Sequence, residues 1–329
     1  MKQFTVIVAP LTSDGAACAA LAARACRSSH EIIFFGSQRL ADFLDSPTQE
    51  KLPPLYSLVI CGLEVVHTDW DGRLVRPRLM DALRAFGSTI LWFSADEWDP
   101  DDAAAVRHII GEERLILDAD APCSAALVRH HSCPKRDAYA DQLVRLGCPS
   151  AGSQPEWAGP WRRVINSLKD DPAALRDAIS LLIEERPDEL EPGMIERAER
   201  VEEQNRATAA RCAEPPVPVG ELKLVSVAVP RQQHAFWHEV SYYARAHTGA
   251  ELCLCHLVGR PVLILTCQPE LRIDLRPWAR YLTDLLPAAN AISRQADAVT
   301  VCLDGLAEDA SLKREAVTIL QDGAHLLRD

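Results

Sequence analysis

Five short apolar runs, separated by helix-like stretches, occupy the first 125 residues and constrain the fold more than any other feature. Runs that are apolar throughout and alternate with amphipathic helices are typical of a parallel sheet covered on both faces. In such a sheet the ligand crevice lies beyond the carboxyl ends of the strands. The predicted strands are residues 4–9, 31–35, 56–61, 89–93 and 114–118, and the predicted helices are 15–27, 37–45, 77–86 and 100–110.

A helical section and a second α/β section follow. Residues 121–212 have helical patterns, ending in a charged helix at 192–211, and three prolines within residues 215–218 then predict a stiff linker. We predict a parallel-sheet α/β domain with a helical insert at 1–190, a helical and Pro-rich linker at 191–220, and a smaller α/β domain at 221–329. The last domain has predicted strands at 222–229, 251–257, 261–267 and 298–303, and predicted helices near 233–246, 275–286 and 311–320.

Composition limits the class of protein. With 48% hydrophobic and 25% charged residues among 329, the chain has the composition of a soluble globular protein. No apolar run is long enough to predict a membrane span, and Met1 leads directly into a strand-like segment without a signal peptide, so we expect a cytoplasmic location. A net charge of −12 disfavours nucleic acid as a partner, because nucleic-acid sites usually carry net positive charge. The sequence predicts no oligomeric state.

The residues after the first, third and fourth predicted strands form a pattern. The first strand is followed by Pro10-Leu11-Thr12-Ser13-Asp14-Gly15, the third by Gly62 and the fourth by Ser94-Ala95-Asp96. This arrangement resembles the DHH phosphoesterase superfamily, which includes RecJ-type exonucleases, oligoribonucleases and exopolyphosphatases. The superfamily's His-x-Asp-x-Asp-Gly, single Asp and Asp-His-His signatures fall on these three segments in that order. The resemblance implies a retained fold whose metal ligands are mostly replaced.

Two further segments carry the resemblance. Asp118–Ala126 looks like the turn that follows the Asp-His-His loop, and Glu270–Leu275 is similar to the segment whose arginine grips substrate phosphate. The resemblance therefore assigns ligand binding to Arg272, and we add Gly15 and Arg231 as predicted ligand-binding residues. Residues 287–297 stand where the superfamily has a Gly-Gly-Gly-His loop, yet they contain neither glycine nor histidine. Without glycine, the backbone approaches a phosphate less closely.

The few remaining carboxylates leave two interpretations open. Two divalent cations need several carboxylate or imidazole ligands. Asp14 and Asp96 are the remnants of that set, and with Glu64 they are candidate ligands of one Mn²⁺ or Mg²⁺ ion. In the other interpretation, which we prefer, Asp14 caps the helix that follows it, Asp96 is a loop residue, and the protein has no metal cofactor.

We predict a catalytically degenerate DHH-type protein that binds an anionic nucleotide-type ligand, or a protein partner, in or near the cleft between its domains. The alternative is an active Mn²⁺- or Mg²⁺-dependent phosphoesterase with a rearranged site, acting on polyphosphate, an oligonucleotide or a cyclic dinucleotide. A protein partner would predict an apolar surface patch built from Trp70, Trp98 or Trp157. Residues 161–163, Trp-Arg-Arg, allow two interpretations. The tryptophan could stack on a base while the arginines hold a phosphate, or the arginines could extend from a surface helix into solvent.

Overall fold

The computed structural model describes residues 4–26, 29–45, 56–67, 69, 73–86, 90–268, 271, 273–285, 289–294, 298–303 and 310–327. The chain forms two compact units. The first comprises Met1–Val65 and Arg76–Glu199, and the second comprises Val66–Val75 and Arg200–Asp329. Within the described residues, no helix combines the length and the apolar character needed to cross a membrane.

A five-stranded parallel sheet forms the centre of the first unit. Its strands are β1 (Phe4–Ala9), β2 (His30–Phe34), β3 (Tyr56–Cys61), β4 (Ile90–Ser94) and β5 (Leu115–Leu117). They lie in the order β2-β1-β3-β4-β5, and all neighbouring pairs are parallel. The predicted strands and the predicted parallel sheet are therefore confirmed.

The helices of the first unit cover both faces of this sheet. They are α1 (Ser13–Ala25), α2 (Leu40–Asp45), α3 (Arg76–Phe86), α4 (Pro100–Ile110), α5 (Ser124–Ser132), α6 (Ala138–Gly147), α7 (Ala158–Ser167) and α8 (Pro172–Ile183), followed by α9 (Pro192–Cys212). Single turns of 3-10 helix occur at Ser37–Arg39, Glu112–Arg114 and Pro187–Glu189. The side chains of Asp99, Asp137 and Asp171 cap helices α4, α6 and α8, accepting backbone N–H bonds in the first turn.

Alternate residues of each strand point into two separate cores. On β1, Val6 and Val8 face the core that contains α2, α3 and α4, whereas Ile7 and Ala9 face α1 and helices α5 to α8. Helix α1 is alanine-rich, and every residue from Gly15 to Ala23 is buried. Small side chains on all sides let α5, α6 and α8 pack closely around it.

The second unit contains a six-stranded mixed sheet. Its strands are β6 (Val217–Val219), β7 (Leu222–Val229), β8 (Leu252–Leu257), β9 (Val262–Cys267), β10 (Ala289–Arg294) and β11 (Ala298–Leu303). Their order is β10-β11-β9-β8-β7-β6, and among these described strands only β7 and β8 pair in parallel. The helices of this unit are α10 (Trp237–Thr248), α11 (Arg276–Leu285) and α12 (Ala310–Asp322), with 3-10 turns at Arg231–Phe236 and Ala324–Leu327. The end of α9 and α10 pack on one face, and α11 and α12 on the other.

Two strands of this sheet differ from the sequence-based expectations. The segment predicted as a stiff linker contains β6, in which Pro218 pairs with Lys223 of β7. Residues expected as a loop before the last strand contain β10, which pairs with β11. Both are edge strands, where proline is tolerated because one side makes no ladder hydrogen bonds. Their sequences lack the continuous apolar run that revealed the central strands.

Helix α10 buries a guanidinium group. Arg245 is 4% exposed, and its Nη1 donates to Ser241 Oγ at 3.0 Å and to the hydroxyl of Thr266. In the part of the chain that the structure describes, no carboxylate forms an ion pair with it. Burial of an ion without a counter-charge is costly, so Arg245 contributes little net stability.

Candidate functional site

Three segments that follow strands of the first sheet meet at its carboxyl edge. The Gly62 N–H after β3 donates to the Phe93 carbonyl of β4 at 2.8 Å. The Ala95 N–H after β4 donates to Ser124 Oγ at 3.1 Å, and the Ser124 N–H donates to the carboxylate of Asp14. The convergence expected for a parallel sheet is therefore confirmed, and Ser124 at the start of α5 connects the segments.

Asp14 caps a different helix from the one expected. Thr12 Oγ1 caps α1 by accepting the Gly15 N–H at 3.0 Å. The two carboxylate oxygens of Asp14 instead accept the first N–H groups of α5, from Ala125 at 2.9 Å and from Ser124 at 3.1 Å. The expectation that Asp14 caps its own helix is corrected, because the tertiary fold brings α5 directly to its carboxylate.

The described hydrogen-bond contacts of Asp14 are with thiols, a hydroxyl and backbone N–H groups. Burial raises the pKa of Asp14, while the N–H groups of Ala125 and Ser124 act in the opposite direction. The thiol of Cys18 lies 3.8 Å from Asp14 Oδ1, and burial raises the pKa of Cys18 and of Cys123 well above that of an ordinary thiol. Asp14 therefore receives hydrogen bonds from a helix start without a cationic side chain among these contacts.

Glycine is favoured at two positions of this edge. A Cβ on Gly15 would overlap the carbonyl oxygen of Pro10 and lie 2.8 Å from its Cδ. Gly62 stands where the superfamily has a metal-binding Asp, and its φ of +59° is a left-handed conformation that favours glycine. The structure thus gives Gly15 a packing role, and its N–H already donates to Thr12.

Asp96 and Glu64 lie in the loops that follow β4 and β3. Ser94 Oγ donates to Asp96 Oδ2 at 3.0 Å and accepts the Asp96 N–H at 3.2 Å and the Trp98 indole N–H at 3.3 Å. The backbone N–H of Glu64 donates to Ser37 Oγ at 3.1 Å. Among the residues with described positions, no three His, Cys, Asp or Glu side chains are arranged to hold a metal ion.

These residues do not fit a divalent metal centre. Mn²⁺ and Mg²⁺ bind oxygen ligands whose lone pairs face the ion. Around Asp14 those directions are taken by N–H donors at the positive end of the α5 dipole, which would repel a cation. The remnant carboxylates Asp14, Asp96 and Glu64 are therefore not assembled as ligands of one ion.

The predicted phosphate-binding arginines belong to the second unit. Arg231 follows β7 and is exposed, and its guanidinium lies over Gly259, where an added Cβ would be 2.8 Å from Cζ. The pKa of His234 is lowered by burial and then by the charges of Arg260 and Arg231, so both cations act on this imidazole. Arg272 lies outside the described residues.

Of the aromatic residues proposed for stacking or for a surface patch, Trp98, Trp157 and Trp161 pack in the first unit. Trp161 is fully buried and donates its indole N–H to the Pro187 carbonyl at 2.7 Å. Trp98 and Trp157 are half-buried and pack against the two cores of the first unit. Trp70 lies outside the described residues. A base-stacking role for Trp161 is therefore wrong, because burial leaves its ring inaccessible.

Sequence reasoning recognised the segment around Ser124 but not the residue's role. Its Oγ accepts from Ala95 while its N–H donates to Asp14, so one residue joins the segments that follow the first and fourth strands. The available signal was its position in Asp118–Ala126, the segment similar to the turn after the Asp-His-His loop.

Comparisons with known proteins identify the fold. No protein-family model and no curated protein matches the sequence. Among solved structures, the chain is similar to the DHH domain of a protein described as a member of a family of ribosomal proteins, with a TM-score of 0.59 and 11% identity over 99% of this chain and 88% of that one. It is also similar to the pGpG-specific phosphodiesterase PggH from Vibrio cholerae, with a TM-score of 0.53 and 14% identity over 98% and 100% of the two chains.

A third similar structure is RecJ from Thermus thermophilus in complex with Mn²⁺. The TM-score is 0.57 and the identity 12%, over 100% of this chain and 53% of RecJ. Likeness at such low identity concerns the fold and not the chemistry. The resemblance inferred from the residues after the strands is confirmed at that level: the chain has the fold of the DHH phosphoesterase superfamily.

Proposed function

We propose that this protein is a catalytically degenerate DHH-type phosphoesterase that acts by binding an anionic, nucleotide-type ligand and uses no metal cofactor. One observation carries the proposal. The carboxylate of Asp14, which remains from the first signature, accepts two N–H groups of α5, so each of its oxygens binds the start of that helix.

The class of ligand is supported by the structural neighbours. One is a phosphodiesterase specific for pGpG, and others are RecJ exonucleases, so proteins with this fold include enzymes that act on nucleotides. The net charge of −12 weakens binding of long nucleic acids, whose affinity depends on neutralising many phosphates. A mononucleotide or dinucleotide needs only a few cationic groups and is the class we favour.

Calorimetric titration of Mn²⁺ beside a pGpG hydrolysis assay tests the proposal. The comparison uses wild type, Asp96→Asn, which keeps the size of the side chain, and the exposed cap variant Asp99→Ala as a control. We expect no saturable Mn²⁺ binding, no turnover in any of the three proteins, and nucleotide binding that is insensitive to a chelator. Mn²⁺-dependent turnover that Asp96→Asn abolishes and Asp99→Ala retains would establish the alternative, an active phosphoesterase with a rearranged site.

A further inference from the structure

A groove on the surface of the first unit lies between α5 and α6. Its volume is about 640 Å³, within the range of small-molecule sites. Ala126, Val144 and Ala151 supply apolar lining, and basic side chains from α5, α6 and the loop between them contribute the charge. The lining includes neither Asp14 nor the residues whose N–H groups it accepts, Ser124 and Ala125.

Charge distinguishes this groove from the chain as a whole. Its lining includes Arg129, Lys135 and Arg145, together with His130, against a single carboxylate from Asp141. The protein carries 35 Lys and Arg residues against 47 Asp and Glu. A local excess of positive charge in an acidic protein attracts anions to one place on its surface.

The guanidinium of Arg129 is occupied by hydrogen bonds to other residues of the groove and its loop, so it is not available to a ligand. Its Nε donates to Asp141 Oδ1 at 2.8 Å, and its other nitrogens donate to the carbonyl groups of Pro134 at 2.7 Å and Lys135 at 3.1 Å. These bonds balance the charge of Asp141 and fix the loop that carries Lys135. They also occupy carbonyl oxygens of that loop, which would otherwise repel an anion.

Arg145, in the last turn of α6, is a cation of the groove whose charge is left available. In the described part of the chain it forms no ion pair, and its Nη1 donates to the Ser153 carbonyl at 3.2 Å. The carbonyl groups of Arg145 and Leu146, at the negative end of α6, accept bonds from Arg162 at 2.9 and 3.0 Å. Arg162 therefore caps the C-terminal end of α6, Arg129 binds the loop before α6, and the charges of Arg145 and Lys135 remain for a ligand.

We propose that this groove binds a small phosphorylated molecule. The phosphate is held by the planar fork of Arg145 and the point charge of Lys135, and the organic part lies on Ala126 and Val144. The inference rests on the proposed binding function and gives it a location. It needs no residue of the metal signatures.

Calorimetry with AMP, inorganic phosphate and adenosine tests the groove. The proteins are wild type, Arg145→Glu, Lys135→Glu and Arg314→Glu, the last being an exposed charge reversal in the second unit. AMP and phosphate should bind wild type, more weakly at high salt, and adenosine should not. Each groove variant should weaken AMP at least about tenfold, the loss expected when one charged hydrogen bond is removed. Arg314→Glu should match wild type.

The results separate this inference from the proposed function. AMP binding that neither groove variant weakens would overturn the groove while leaving a binding function in place. Adenosine binding as tightly as AMP would contradict recognition of phosphate, and absence of AMP and phosphate binding to wild type would also overturn the groove. Mn²⁺-dependent hydrolysis abolished by Asp96→Asn would overturn the proposed function without affecting these titrations.

Discussion

Replacing Asp14 with alanine should destabilise the start of α5. The carboxylate accepts the N–H groups of Ala125 at 2.9 Å and Ser124 at 3.1 Å, and Ser124 in turn holds the chain after β4 through Ala95. If Asp14 were only a metal ligand, its loss would leave the stability of the metal-free protein unchanged. Stability therefore discriminates between the two roles.

The expected loss of stability follows from the two hydrogen bonds that Asp14 accepts. A buried N–H left without an acceptor costs about 1–3 kcal/mol, and loss of a helix cap costs about 0.5–2 kcal/mol. Burial raises the pKa of Asp14, so removing the carboxylate also relieves a desolvation cost, which offsets part of the loss. We expect a net loss of about 2–4 kcal/mol in the free energy of unfolding.

Urea unfolding followed by circular dichroism measures this loss, and hydrogen exchange locates it. Asp99→Ala is the matched control, because Asp99 caps α4 from an exposed position and should cost only about 1 kcal/mol. Exchange of the Ser124 and Ala125 amides should accelerate in Asp14→Ala and not in the control. Equal losses in the two variants, or unchanged exchange at Ser124 and Ala125, would refute the capping role.

Three other substitutions test the packing and charges of the fold. Gly15→Ala places a Cβ against a backbone carbonyl that cannot move aside, and it should lower the free energy of unfolding by about 3 kcal/mol in the same urea assay. Its control is Gly159→Ala, whose Cβ would meet nothing within 4 Å and which should be neutral or stabilising. Arg245→Met should keep or raise the thermal midpoint, because it removes an uncompensated buried charge, and a marked decrease would contradict this. Burial alone would raise the pKa of Asp137, but the backbone N–H and Arg24 lower it below 3.8. The ionised Asp137 carboxylate therefore stabilises the folded protein above pH 3.8, and this stabilisation is lost as the pH falls through the pKa of Asp137 in the folded state. The urea midpoints of wild type and Asp137→Asn should then converge in acid.

The order and type of the secondary structure could be predicted because they depend on local patterns. Each strand of the first sheet is a short apolar run, and each helix has an apolar face or an aspartate cap that is visible in sequence. The two strands that were missed, β6 and β10, lie at the edges of the second sheet. An edge strand has one hydrogen-bonded neighbour and needs no continuous apolar run, so its sequence carries little signal.

The site was located by the sequence but not explained by it. The segments after β1, β3 and β4 were expected to meet, since parallel strands direct their carboxyl ends to one edge. What Asp14 binds depends on residues 110 and 111 positions away, which no local pattern reveals. The basic groove has the same origin, because its cations come from two helices and a loop that are brought together only by packing against α1.

By itself, then, the amino-acid sequence determined the parallel sheet of the first unit, since its strands are short apolar runs. Through the resemblance to the DHH superfamily, it also predicted that most metal ligands of the signatures are replaced. Only the tertiary structure decided that Thr12 caps α1 while Asp14 caps α5, that Arg129 binds carbonyl groups of the loop after α5, and that Arg162 caps the end of α6 beside a groove. Hydrogen bonds between distant segments depend on how helices pack, and packing is set by the whole core rather than by neighbouring residues.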